Sequence, residues 1–236
     1  MQQLMSYMRA AMEKYNMVQS GDVIAVGVSG GKDSTAMLVA LAELQRFYPE
    51  KFEIKAITID PCFEGKEGDF SEVETLCARL GVEYKIKRTN LYHIIFETRK
   101  EKNPCSLCAR MRRGMLHDEA KALGCNKIAL GHHMDDAVDT ALMNLFNGGV
   151  FECFSPVSYL SRKDLYMIRP LIFARESDVI KAVKKENLPV IKSACPADKN
   201  TEREEIKLLV KDLSKKYENL ETKILHALQK GNISNW

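Results

Sequence analysis

No stretch of this chain is apolar for long enough to cross a bilayer. Arg9, Glu13 and Lys14 also break up its first apolar segment, so the uninterrupted core of a secretory signal is missing. A cytoplasmic protein is expected. Charge of one sign is missing too: 35 Lys and Arg against 32 Asp and Glu leave a net +3, which permits a nucleic-acid substrate but falls short of a strongly basic binding domain. There is no internal repeat, low-complexity tract or Pro/Gly/Ser-rich linker, which argues for one main domain. No Gly-x4-Gly-Lys-Ser/Thr occurs, which excludes the Walker phosphate loop. The seven cysteines of a cytoplasmic chain read as reduced thiols, metal ligands or packing residues, not as a disulfide framework.

What is present is a regular alternation of strand and helix patterns in a chain with 45% hydrophobic residues, enough for a sizeable core. Leu4, Met8, Ala11 and Tyr15 mark an opening helix. Val23–Val28 and Phe52–Asp60 read as strands around a helix over Thr35–Leu44. Helices are expected over 70–80, 105–123, 135–146 and 176–187, strands over 82–87 and 127–130, and extended chain over 155–170. This pattern predicts an α/β fold, a doubly wound parallel sheet with helical additions. Its divisions are an N-terminal helix (1–20), a ligand-binding domain (21–198) and a C-terminal helical tail (199–236). Ligands of such sheets sit at the carboxyl ends of the strands, so Ser29, Asp60 and the Gly131-His132-His133 corner should share one rim.

The turn Ser29-Gly30-Gly31-Lys32-Asp33-Ser34 joins a buried strand to a helix. Its glycines let the backbone approach a ligand, and the N–H groups of the helix's first turn attract anions. Lys32 adds a point charge for phosphate, and Asp33 a hard oxygen ligand for magnesium.

Cys105 and Cys108 form a C-x-x-C at a helix start, and Cys195 lies near the other end of the chain. Three thiolates suit a [4Fe-4S] cluster with one iron left open for sulfide or substrate. A structural zinc would need a fourth ligand, for which His117 is the nearest candidate, and a thiol redox pair or an inert helix start are the remaining readings. Cys62, Cys77, Cys125 and Cys153 lack ligand spacing and are assigned to packing. In Gly131-His132-His133-Met134-Asp135-Asp136, with Asp139 one turn on, acidic groups crowd a helix start. Magnesium and ribose binding competes there with simple capping, and the histidines read equally as packing residues.

The Ser-Gly-Gly-Lys-Asp-Ser turn resembles the PP-loop of the N-type ATP pyrophosphatases, which cleave ATP between the α and β phosphates. With Tyr15-Asn16-Met17, Cys-Ser-Leu-Cys-Ala-Arg-Met-Arg-Arg-Gly, Gly-His-His-Met-Asp-Asp, Ile168-Arg169-Pro170-Leu171, Cys195 and Arg203, the chain is similar over most of its length to the PP-loop tRNA 2-thiocytidine synthetases. The resemblance implies that Ser29, Gly30, Gly31, Lys32, Asp33, Ser34, Asp60, Gly131, His132, Asp135 and Asp136 bind ATP, with Mg2+ on Asp33. It further implies a [4Fe-4S] cluster on Cys105, Cys108 and Cys195, and Lys32, Asp33 and Cys195 as catalytic residues. The implied activity is adenylation of the C2 oxygen of a cytidine in the tRNA anticodon loop, followed by sulfur transfer. A sulfur donor such as a cysteine desulfurase system and a homodimer are compatible with it.

The chain departs from that pattern in three places. Asp139 stands where the family has Glu, Cys195 stands alone where it has a Cys-x-x-Cys pair, and Phe154-Ser155-Pro156-Val157-Ser158 replaces a Met-Pro-Pro-Lys stretch. The alternative activities are a PP-loop enzyme acting on another RNA position or a small molecule, and a non-enzymatic nucleotide- and metal-binding redox module. Arg110, Arg112 and Arg113 have three readings: contacts to RNA phosphates, compensation of thiolate charge, or plain solvation. The mixed charges from Lys199 to Lys223 read as a solvated helix face.

Overall fold

The computed structural model describes residues 1–99, 104–192, 194–195 and 202–236. Strand β1 (Asp22–Gly27) runs through the middle of a six-stranded sheet, with β2 (Phe52–Asp60) and β3 (Glu83–Arg88) on one side. On its other side lie β4 (Lys127–Ala129), then β6 (Leu165–Ile168), with β5 (Val157–Leu160) at the edge. All neighbours pair in parallel except β5 and β6, which form an antiparallel hairpin. The extended chain expected over 155–170 is therefore two strands and a turn. Because β1 is flanked by β2 on one side and β4 on the other, the strand order reverses at its carboxyl end, where a crevice opens.

The β-branched and small residues of β1 and β2 are buried on both faces, which requires helices above and below. One face is covered by α1 (Gln2–Lys14), α2 (Lys32–Leu44), α3 (Ser71–Leu80), α5 (Met134–Gly148) and α6 (Glu176–Lys185), whose apolar residues join a single large core. On the other face α4 (Pro104–Ala122) sets Leu107, Leu116 and Ala120 against Ala25, Ile57, Ile59 and Ile128. Helix α2 begins at Lys32, three residues before its apolar pattern starts at Thr35, because its first turn borders a cavity and not the apolar core.

The charged tail is two helices, α7 (Glu202–Ser214) and α8 (Leu220–Lys230), parted at Asn219 with φ 55°. Reading it as a solvated face holds only in part: Ile206 and Val210 pack on Val138 and Leu142 of α5. A π turn over His93–Thr98, which buries Ile95, was not foreseen. No helix among the described residues is long and apolar enough to cross a membrane.

At the amino ends of the strands a buried ion pair ties β1 to β4. Asp22 and Lys127, 4% and 5% exposed, meet at 2.7 Å. Lys127 also donates to Met17 O at 3.0 Å, while Asp22 accepts from Gln19 N and Asn126 Nδ2. Removing one partner strands the other charge in the interior. Lys127→Met should therefore cost about 3–5 kcal/mol in urea unfolding, with spectra of the folded state unchanged.

Candidate nucleotide and thiol site

The Ser29 loop is folded by its own hydroxyls. Ser34 Oγ donates to Gly31 O at 3.0 Å and accepts from Ser29 N at 3.1 Å. Gly30 has φ +83°, a conformation that L side chains rarely adopt, and a Cβ there would meet Ile191 at 2.9 Å. Gly131 is needed for a different reason: a Cβ would press on the backbone of Asp33 and Ser34 at 3.1–3.3 Å. Gly31 is the N-cap of α2, and no side chain caps it. The first-turn N–H groups are thus left for a ligand.

Two adjoining cavities meet at this turn. One, of about 300 Å³, is walled by Val28, Ile57, Ile59, Leu116 and Leu130, with Arg112 and Arg113 at its polar side. The other, of about 290 Å³, lies over Ser29, Gly31, Asp33, Ser34 and Gly131 and reaches Asp136. His132 lines both. An apolar chamber continuous with a ring of backbone donors has the shape and chemistry for a base at one end and phosphates at the other.

Lys32 Nζ is held by Asp33 Oδ2 at 2.8 Å and Glu176 Oε1 at 3.0 Å. Burial works against its charge, but the two carboxylates outweigh burial and raise its pKa. Glu176 also takes Lys207 of α7 at 2.7 Å, and Arg203 of α7 reaches Asp136 at 3.0 Å. Glu176 and Lys207 went unnoticed in the sequence. A glutamate in a first helical turn reads as dipole compensation, and a lysine in a mixed-charge run as solvated.

The acidic residues of the second motif are largely engaged by the protein. Asp136 Oδ2 accepts from His133 N while His133 Nδ1 accepts from Asp136 N, a reciprocal cap of α5. Asp135 accepts the backbone N–H of Glu176 at 2.8 Å, which fixes the start of α6. Asp33 Oδ1 differs: it is buried and has no hydrogen-bond partner among the described residues. His133 Nε2 lies 3.7 Å from it, and a buried carboxylate oxygen without a hydrogen bond beside the phosphate loop suits a magnesium ion.

Asp60 lies at the end of β2 but lines neither cavity. Its carboxylate accepts the N–H groups of Cys62 at 3.0 Å and Gly68 at 2.8 Å and so anchors the 61–68 loop. His132 is pushed down to about 4 by burial, with Arg169, Arg203 and Arg113 acting in the same direction against Asp136, so it is neutral at physiological pH.

The thiols lie on the same rim. Cys105 and Cys108 occupy the first turns of α4, and the next residues of that helix, Ala109, Arg112, Arg113 and Leu116, wall the larger cavity. Burial first, then the nearby Cys195 and Cys105, push the Cys108 thiol up, while Arg112 opposes them. Cys195 thus comes back to the C-x-x-C from the far end of the chain.

Nine helical residues separate His117 from Cys108, about 13 Å at 1.5 Å per residue, which removes it as a fourth ligand of the same ion. Among the described residues no three Cys, His, Asp or Glu side chains are gathered tightly enough to hold a single metal ion. Zinc would draw its sulfurs to about 3.8 Å of one another. Three thiolates are the donor set that a [4Fe-4S] cluster with one open iron takes. Of the other cysteines, Cys77 and Cys125 are buried in the core, and burial pushes Cys77 to about 11 and Cys153 to about 12, as befits packing residues.

A parallel sheet that presents an uncapped glycine-serine loop and a base-sized cavity at its switch point defines a nucleotide-binding α/β protein. Residues 4–213 match the family of the PP-loop domain. The chain is 38% identical over 221 residues to the tRNA-cytidine(32) 2-sulfurtransferase of Pelobacter propionicus, covering 92% of this chain and 81% of the relative. It is 38% identical over 226 residues to the protein of the same name from Syntrophotalea carbinolica, with 94% and 86% covered. Among solved structures it resembles the U34-tRNA thiolase NcsA from Methanococcus maripaludis with its [4Fe-4S] cluster. That match has a TM-score of 0.77 and 25% identity over 95% of this chain and 77% of the other. The chain belongs to the PP-loop family and, within it, to the tRNA-cytidine 2-sulfurtransferases.

Asp139 makes a pH-dependent prediction. Burial raises its pKa to about 6, with Arg203 opposing and Asp136 and Asp135 adding to the rise. The folded protein therefore binds this proton more tightly than the unfolded chain, whose carboxyl titrates near 4. Stability from this group is lost as pH rises through that window. Asp139→Asn should raise stability at pH 7.5 by about 1–2 kcal/mol, and the gain should vanish by about pH 4 in parallel denaturation curves.

Proposed function

We propose that this protein is an ATP-dependent tRNA sulfurtransferase that converts a cytidine of the anticodon loop to 2-thiocytidine in the cytoplasm, with release of pyrophosphate and AMP. The observation that carries the reading is helix α4, whose first turns hold Cys105 and Cys108 and whose following turns wall the nucleotide cavity. ATP chemistry and sulfur chemistry are thus assigned to successive turns of one helix. In this assignment the apolar cavity takes adenine, and the first-turn N–H groups of α2 with Lys32 hold the phosphates.

The C2 oxygen of cytidine is a poor leaving group. Its attack on the α-phosphorus forms a new P–O bond and breaks the bond to the bridging oxygen, so that pyrophosphate departs. Sulfur then bonds to C2, the C2–O bond breaks, and that oxygen leaves with AMP. Lys32 and the loop N–H groups oppose charge that grows on the departing phosphates, in a site where no solvent dipoles must reorganise. His132, neutral and at the junction of the cavities, orients the reacting ends without adding charge. When bound, Mg2+ on Asp33 supplies further positive charge to the phosphates, and a [4Fe-4S] cluster on Cys105, Cys108 and Cys195 supplies the iron at which sulfur is handled. The sulfur itself is assigned to a donor such as a cysteine desulfurase system.

Deletion of the gene should remove 2-thiocytidine from tRNA, and the wild-type chain should restore it. Lys32→Ala and Cys108→Ser should not, the first because pyrophosphate release falls by about 100-fold or more, the second because iron is lost. Persistence of 2-thiocytidine in the deletion strain, with no second thiolase present, would refute the tRNA assignment and favour another substrate of the same ATP chemistry.

A further inference from the structure

The chain between α6 and α7 does more than return a cysteine to α4. Ile191 N donates to Gly30 O at 2.9 Å, and the Ile191 side chain fills the space that a Cβ on Gly30 would need, at 2.9–3.0 Å. The carbonyl of Gly30 and the N–H of Gly31 belong to one planar peptide, so neither can turn without the other. Gly31 N makes a long bond to Ser29 Oγ, 3.3 Å, so the direction of its N–H is set chiefly through the Gly30 carbonyl that Ile191 holds. Cys195 follows Ile191 by four residues, a tether of at most about 14 Å.

A second tie closes the loop from the other side. Lys32, which phosphates would claim, shares Glu176 with Lys207 of α7. Ile191 before Cys195, and Lys207 of α7, thus each touch a group that a triphosphate must move or engage.

We propose that Ile191 is a positioning residue that links the phosphate loop to Cys195, so that nucleotide binding and the setting of that thiol against Cys105 and Cys108 form one coupled equilibrium. Coupling of this kind is reciprocal. The thiol that completes the sulfur centre is placed when the Gly31 peptide engages a phosphate, and a centre assembled through Cys195 tightens the loop on ATP. The metal half of the inference rests on the cluster reading above; the thiol half does not.

The test follows alkylation of Cys195, read peptide by peptide by mass spectrometry, in iron-free protein with and without a saturating non-hydrolysable ATP analogue whose binding is measured separately. The analogue should slow the reaction by at least about fivefold, the lower end of ordinary allosteric coupling. Ile191→Val should keep the factor. Ile191→Pro, which lacks the N–H, should abolish it while still binding the analogue. Ile191→Ala, which keeps the N–H but empties the contact, should lose most of it and decides the matter if the proline variant does not fold.

No slowing in the wild type, or the same slowing in the proline and alanine variants, would overturn the proposal, the second outcome meaning that nucleotide merely shields the thiol. Iron release to a chelator from the anaerobic holoprotein gives the independent reading of the metal half. It should respond to the analogue in the wild type and not in Ile191→Ala. If Cys195→Ser retains its iron, the cluster assignment fails while the alkylation result still decides the coupling.

Discussion

Helix α2 starts at the carboxyl end of the central strand with no side chain to cap it, and the rest of the site is arranged around that deficiency. Backbone donors without partners are costly when shielded from water and strongly favour an anion in front of them. A lysine standing alone beside them would be free to wander. Here Asp33 and Glu176 fix its ammonium within a turn of the donors. A triphosphate carries more negative charge than these two carboxylates and can draw Lys32 across without a rotamer search. The carboxylates thereby trade some affinity for orientation, which is where rate enhancement of phosphoryl-type transfer arises.

Helix α4 acts as a ruler between the two chemistries. From Cys108 to Arg112 is one turn, about 6 Å, and to Leu116 two turns, about 12 Å. The thiols can neither reach the phosphate loop directly nor drift from the cavity mouth, because Leu107 and Leu116 pin the helix to Ile57 and Ile59 of the sheet. A reactive sulfur must stay clear of the phosphates until the base is activated, and a rigid element sets that separation better than a loop.

How much of this is legible in the sequence depends on the range over which each feature is encoded. The Ser29 loop, the C-x-x-C and the strands around them are local patterns, and they lie where their spacing predicts. Cys195 was grouped with Cys105 and Cys108 as a third thiolate and a family resemblance strengthened that grouping, since nothing in its own surroundings names its partners. Glu176 and Lys207 escaped notice because each obeys a local rule that needs no ligand. Asp60 shows the converse. A carboxylate at a strand end on the ligand rim invites a functional reading, yet here each of its oxygens also holds a backbone N–H of its own loop. Such competition from the backbone is invisible until the loop's path is known.

The arginines after Cys108 carried three readings, and the structure divides them. Arg110 is exposed and solvated. Arg112 turns inward, donates to Ile59 O at 3.4 Å and favours the thiolate of Cys108, which is the behaviour of a charge that offsets sulfur. Arg113 is exposed at the cavity, and its charge acts on His132 and on Arg169. Arg169 is 4% exposed, lies over the Phe154 ring at 4.8 Å, and is lowered to about 10 by burial and then by Arg113. Among the described residues no carboxylate pairs with Arg112, Arg113 or Arg169, whereas every cation at the phosphate end has one.

The chamber is therefore electrostatically two-sided. Its phosphate end is neutralised in advance by Asp33, Glu176 and Asp136, and its thiol end keeps uncompensated positive charge. Of these three cations only Arg169 is buried, and a buried charge without a carboxylate is expensive. Cations left without carboxylates suit a negatively charged partner, and tRNA, the substrate class of this family, is one.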